Sequence, residues 1–150
     1  MLSPALTSWT TQYERMLRTY ARLKESYVSS VAYDDDLQHF FQDCWHLKDW
    51  IKNDPTLAAQ SIPIEATVDA RKPLRIAADL ANACKHLDRH QHREGAYVTS
   101  KSVTVHLGQN RGVDVLHVIT LSDGSTLPAD VAAEQAIDAW EAVLRDLGLK

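Results

Sequence analysis

The sequence of 150 residues has little cysteine and no concentration of glycine or proline. Its two cysteines, Cys44 and Cys84, exclude a disulfide-rich secreted scaffold. Both fall on apolar helix faces, so we interpret them as buried free thiols in a reducing, cytoplasmic compartment; a disulfide between them is the alternative. The five glycines are scattered in predicted turns, which excludes a glycine-rich phosphate loop.

Long basic runs and long apolar runs are also missing. The chain has 16 Lys and Arg against 20 Asp and Glu, a formal net charge of -4. This balance argues against a protein that coats duplex nucleic acid through charge alone. No apolar run reaches transmembrane length and no signal peptide is recognisable, so we expect no membrane association. The composition predicts a single globular domain over residues 1–150.

Apolar residues recur at helical spacing in four long segments of the chain. The pattern predicts helices over about residues 4–27, 34–53, 73–89 and 129–147. Acidic residues stabilise a helix N-terminus, so the Asp34-Asp35-Asp36 triplet is interpreted as the start of the second helix.

Between the third and fourth helices the apolar period shortens to two, which is typical of strands. Val113 to Leu121 is rich in β-branched residues, and Asp123-Gly124 is a hairpin turn signal. We predict a small antiparallel β-meander over about residues 97–127. The predicted fold class is therefore α+β, mainly α: a four-helix up-and-down bundle with the meander inserted between helices 3 and 4.

The second and third predicted helices each carry a polar stripe opposite their core stripe. On the third helix this stripe comprises Arg75, Asp79, Asn82, His86 and His90. On the second helix it comprises His39, Asp43, His46 and Trp50. Lysine and glutamate, which normally fill a solvated helix face, are nearly absent from both stripes. We therefore predict that the two stripes face one shared site.

The segment Asn82-Ala-Cys-Lys-His86 places an amide and an imidazole one helical turn apart. With the bundle order, this spacing resembles the HEPN domains, helical bundles of bacterial toxin, defence and RNA-processing systems. Many active HEPN members are metal-independent ribonucleases whose motif is Arg, a polar residue, a short spacer and His. Asn82 and His86 match the polar residue and the His, whereas the Arg position is Ala81. The formal Arg-x5-His match, Arg111 to His117, falls in the predicted hairpin and is set aside as chance.

The resemblance implies a module that binds RNA, a nucleotide or a partner protein, with or without catalysis. In a ribonuclease, His86 would take the 2′-hydroxyl proton, oriented by Asn82 or Asp79. Arg75 or Lys85 would stabilise the phosphorane charge. The alternative is that the polar stripe of the third helix forms a closed network where helices meet.

Further candidate ligand-binding residues are Lys85 and Arg89 near the end of the third helix, and Trp50 on the second. Residues 46–50 and 79–86 also resemble segments of small bacterial proteins whose function is unassigned. That second likeness supplies no mechanism.

A different chemistry follows from the second helix alone. His39, Asp43 and His46 are spaced four and three residues apart, so all three can converge from one helix face. Imidazole and carboxylate groups suit zinc or another divalent metal, with His86 or Asp79 as a fourth ligand. The HEPN resemblance implies no cofactor, and a divalent metal such as zinc is the alternative.

The second helix is also apolar or aromatic almost all round, with Phe40, Phe41, Trp45 and Trp50 pointing in different directions. A helix of this kind is central or lies at an oligomer interface. We predict a homodimer with Trp45 or Trp50 at or near the interface. A third functional class, a non-catalytic dimeric scaffold or regulator, is consistent with the same feature.

Overall fold

The computed structural model describes residues 8–57, 62–83, 93–108 and 111–150. Its α-helices are α1 Trp9–Leu23, α2 Ser30–Asn53, α3 Ile64–Asp69, α4 Lys72–Ala83 and α5 Ala129–Asp146. A short 3-10 turn, Pro55–Leu57, follows α2. Between α4 and α5 lie three strands, β1 Tyr97–His106, β2 Gly112–Thr120 and β3 Thr126–Pro128, in an antiparallel sheet of order β1-β2-β3. The predicted α+β class and the antiparallel meander are confirmed.

The first helix ends earlier than the sequence pattern predicts. Helix α1 ends at Leu23, although the apolar spacing continues to Tyr27. Tyr27 is instead bridged to Val113 at the start of β2, whose N–H donates to the Tyr27 carbonyl at 2.8 Å. A strand partner distant in sequence therefore replaces the helical hydrogen bonds that the local pattern predicts.

The acidic triplet does not start the second helix, which corrects the prediction. Helix α2 begins at Ser30, and the side chain of Ser29 caps it by accepting from the Ala32 N–H at 3.1 Å. A serine hydroxyl is among the best N-caps, so the helix needs no acidic residue there. Asp34 and Asp36 lie inside the helix and pair with distant cations.

Helix α2 is central and packs against α1 and α4, while α5 packs against α4 and β2. The predicted core stripe of α2 is buried along its full length: Leu37, Phe40, Cys44, Leu47 and Ile51. Trp140 of α5 is fully buried, and its indole N–H donates to the Cys44 carbonyl at 3.0 Å. None of the described helices has the length and apolar character needed to span a lipid bilayer.

The register of the sheet decides which side chains face the helices. Strands β1 and β2 pair with Lys101 opposite His117, after an irregularity between Val98 and Ser100. Along β2, His117 and Ile119 are buried and Leu116 is exposed, as period-two alternation requires. The turn after β2 contains Gly124 at φ 85°, a conformation that glycine adopts without steric cost.

Candidate functional site

Asp79, a predicted site residue of α4, is only 1% exposed. One carboxylate oxygen accepts from the Arg93 N–H at 2.9 Å. The other accepts from the N–H groups of Glu94 and Ala96, at 2.8 and 3.2 Å. Asp79 therefore ties the segment that leads into β1 to helix α4.

Arg75 lies on the same helix face and holds the same segment. Its Nε donates to the Glu94 carboxylate at 2.7 Å, and another guanidinium nitrogen donates to the Asp69 carbonyl at 2.7 Å. Arg75 and Asp79 thus both bind the short segment of residues 93–96 that leads into β1. Their described contacts are those of a structural clamp.

The remaining residues of the HEPN-like pattern are only partly described. Asn82 is half-buried, while Ala81, at the position of the motif arginine, is fully buried. A guanidinium at that position would have to leave water for the apolar core, so residue 81 serves packing. Lys85, His86, Arg89 and His90 lie outside the described residues, and the roles assigned to them stay predictions.

Two members of the polar stripe of α2, His39 and Asp43, lie beside α1. Asp43 accepts from an Arg15 guanidinium nitrogen at 3.0 Å and from the Gln12 amide at 3.3 Å. His39 is exposed and His46 is half-buried. In the described part of the chain, no three His, Cys, Asp or Glu side chains are grouped to hold a metal ion. A site shared by both stripes through His86 stays a prediction.

The two tryptophans proposed for a dimer interface differ in burial. Trp45 is 9% exposed, and the cationic groups of Lys48 and Arg93 each lie 4.6 Å from its ring centroid. Trp50 is half-buried. Since Trp45 is covered by cations of its own chain, Trp50 is the more accessible of the two.

A cavity of about 420 Å³ lies between α2, α4 and the sheet. Its lining is mainly apolar and includes Leu37, Phe41, Leu80, Ala83, Val98, Ile119 and Ala129. Polar groups enter it from Asp34, Gln38, Tyr97 and His117. Small-molecule sites typically have this character: a mostly apolar cleft with a few polar groups that orient the ligand.

The polar end of this cavity is built by Asp34, Lys101 and His117. Lys101 Nζ pairs with one carboxylate oxygen of Asp34, and His117 Nε2 lies 3.0 Å from the other, Oδ1. The second contact lacks hydrogen-bond alignment, so Asp34 Oδ1 and His117 Nδ1 are buried without a hydrogen-bond partner among the described residues. Buried polar atoms are normally hydrogen-bonded, so these two atoms are exceptional in the wall of the cavity.

Burial lowers the pKa of His117 below its ordinary value, and Lys101 adds to the lowering, although Asp34 opposes it. His117 also stacks on Tyr33, with ring centroids 5.8 Å apart and planes inclined by 19°. The imidazole is therefore neutral at neutral pH. One of its nitrogens is then an acceptor.

The free energy of unfolding is expected to decrease as the pH falls from 7 through the unfolded histidine pKa of about 6.5. The folded pKa of His117 is lowered, so the unfolded chain binds more protons in this range and is favoured by acid. Urea unfolding at a series of pH values should show a smaller decrease in His117→Phe than in the wild type. The same change at exposed His106 is the control, and an equal pH slope in both variants would contradict the assignment.

This site was not predicted, although part of its signal is present in the sequence. His117 is two residues from Val115 and from Ile119, which places all three on the same, apolar face of β2. A histidine on the apolar face of a strand is a candidate site residue. His117 was set aside only because its match to the HEPN motif, through Arg111, was interpreted as chance. Asp34 was interpreted as a helix start, and only the fold brings it to the sheet.

Cys44 is a buried free thiol, as predicted, and burial raises its pKa to about 12. A thiol that stays protonated at neutral pH is a poor nucleophile, so the environment of Cys44 does not favour nucleophilic catalysis. Cys84 lies outside the described residues.

What the cavity between α2, α4 and the sheet can bind has to be inferred from the residues that line it. Its described features are an apolar cavity of about 420 Å³ and the half-buried Asp34 carboxylate beside a neutral imidazole. The resemblance to HEPN domains stays a prediction. No family model matches this sequence, and no curated protein and no solved structure matches it.

Proposed function

We propose that this protein is a non-catalytic binding module that takes a nucleobase or nucleoside into the cavity between α2, α4 and the sheet. The observation that carries the proposal is the apolar cavity whose lining includes the Asp34 carboxylate and His117. A carboxylate only accepts hydrogen bonds, so the matching ligand group is an N–H or O–H donor.

The rest of the lining supports a planar ligand with mixed hydrogen-bonding edges. Phe41 and Tyr97 supply aromatic surface, on which a flat ring system stacks favourably. The Gln38 amide both donates and accepts, as the edge of a base does. Of the ligand classes implied by the sequence, a nucleotide component fits this combination better than a metal ion or an extended peptide.

The scaffold in this proposal is the predicted up-and-down bundle, made of α1, α2, α4 and α5, with HEPN-like character. Catalysis is not part of it, because the motif position at Ala81 is a core position. The proposal keeps the predicted homodimer, with Trp50 as the more accessible of the two candidate interface tryptophans. Light scattering at micromolar concentration measures whether the protein is a monomer or a dimer.

Binding of one of the four common nucleosides is expected to raise the melting temperature by about 5 to 10 °C at a hundredfold excess over Kd. Asp34→Asn should weaken binding at least tenfold, because the substitution removes the negative charge and puts an N–H donor in place of one of the two acceptor oxygens. Asp35→Asn is the matched control, since Asp35 is the exposed next residue of the same helix. Calorimetric titration measures both affinities.

A second variant tests the cavity itself. Val98 lines the cavity and is 46% exposed, so Val98→Trp should fill the space without loss of the fold. Binding should then disappear while the circular dichroism spectrum is unchanged. Saturable binding that survives Val98→Trp, or equal affinities in the Asp34 and Asp35 variants, would place the ligand elsewhere. Absence of binding by all four nucleosides would refute the ligand class.

A further inference from the structure

A second cavity, of about 390 Å³, lies between α1 and α2. Its lining is polar and includes three arginines: Arg15, Arg18, Thr19, Arg22, His39 and Asp43. On α2, His39 and Asp43 are about half a turn away from Asp34 and Leu37, which line the apolar cavity. The two cavities therefore use opposite faces of the same helix.

The spacing of the arginines explains why they meet. Arg15, Arg18 and Arg22 are three and four residues apart, so they lie along one face of α1. That face packs beside α2, which adds His39 one turn before Asp43. Three guanidinium groups and one imidazole thus border a single open space.

Two of the three guanidinium groups are held in place by carboxylates of α2. Arg15 contacts Asp43 at 3.0 Å, and Arg22 contacts both oxygens of Asp36 at 3.3 Å. Arg22 also donates to the Thr19 hydroxyl at 3.2 Å. These contacts fix the guanidinium groups at the cavity wall and leave several of their N–H donors unused.

Arg18 is different, because no described carboxylate forms an ion pair with it. Each of Asp36 and Asp43 balances one arginine, so the cavity keeps the positive charge of Arg18. A cavity lined by three guanidinium groups with a surplus cation attracts an anion and repels a divalent metal ion. Guanidinium N–H groups match the oxygen geometry of phosphate in particular.

We propose that the α1–α2 cavity binds a phosphate group, with Arg18 as the main cationic contact and Arg15, Arg22 and His39 as supporting donors. The proposal does not rest on the nucleoside site, since the two cavities are separated by the body of α2. It also gives a different role to His39 and Asp43, whose spacing in the sequence predicted zinc ligands. Here Asp43 positions Arg15, and His39 contributes a ring nitrogen.

The probe is inorganic phosphate, titrated calorimetrically into the full chain in a chloride buffer without other oxyanions. Saturable binding is expected, with at least a tenfold loss of affinity in Arg18→Glu. Arg145→Glu is the matched control, because Arg145 is an exposed arginine of α5 outside this cavity. Circular dichroism of both variants verifies the fold. Equal affinities in the two variants, or no saturation by phosphate, would overturn the proposal.

Further titrations identify the kind of molecule that carries the phosphate and distinguish this site from the nucleoside site and from a metal site. Pyrophosphate and a short single-stranded RNA are titrated in parallel, and Arg18→Glu should weaken whichever of them binds through this cavity. Asp34→Asn should leave phosphate affinity unchanged, so failure of the nucleoside site is distinguishable from failure of this one. Zinc chloride is titrated as the competing test. Zinc binding that strengthens in Arg18→Glu would support the predicted metal site of His39, Asp43 and His46 instead.

Discussion

Replacing Asp79 by alanine is expected to lower the free energy of unfolding by about 3 to 5 kcal/mol. The carboxylate is 1% exposed and accepts three backbone N–H groups between Arg93 and Ala96. Alanine removes all three bonds and leaves donors of the loop without their acceptor. At about 2 to 4 °C per kcal/mol, the melting temperature should fall by roughly 6 to 20 °C.

Two variants sharpen this test. Asp79→Asn should have an intermediate effect, because its amide keeps one acceptor oxygen but turns an N–H group toward a backbone donor. Asp138→Ala changes an exposed aspartate of α5 and should cost little. Hydrogen exchange of the Glu94 and Ala96 amides should accelerate in Asp79→Ala. A variant that unfolds like the wild type but loses ligand affinity would instead make Asp79 a functional residue.

Replacing Trp140 by alanine is expected to cost about 3 to 5 kcal/mol, the usual effect of removing a large buried aromatic side chain. Trp140 is 0% exposed and its indole N–H bonds to the Cys44 carbonyl of α2. The variant leaves a large void between α5 and α2 and an unpaired carbonyl. Because α2 carries both proposed sites, ligand affinity at each should weaken together with stability.

Urea unfolding followed by circular dichroism measures this loss. Trp140→Phe should cost less than alanine, since the phenyl ring fills most of the space but donates no hydrogen bond. Trp50→Ala is the matched control, because Trp50 is a half-buried tryptophan of α2. If the Trp50 variant were the less stable of the two alanine variants, the inferred position of the core would be wrong.

Much of the fold could be predicted from local patterns in the sequence. The core stripe of α2, from Leu37 to Ile51, is buried as its helical spacing requires. The meander between α4 and α5 follows from β-branched residues at period two and from Asp123-Gly124. These features repeat within one or two turns, so neighbouring residues in the chain are sufficient to specify them.

Part of the candidate site was visible in the sequence but was assigned to other roles. Asp79 and Arg75 were recognised as non-random polar residues, and their described partners lie in residues 69–96 rather than in a cleft. Their helical spacing shows which residues share a face. It does not show what that face touches, because the partner comes from a later segment.

Alone, the sequence determined which segments are helix or strand and which face of each is apolar, since both follow from local periodicity and the hydrophobic effect. Only the tertiary structure decided that Tyr27 bridges to β2 and that Asp34 meets His117 and Lys101. Those pairings join residues far apart in the chain. They depend on how the sheet packs against α2, and no local pattern encodes that packing.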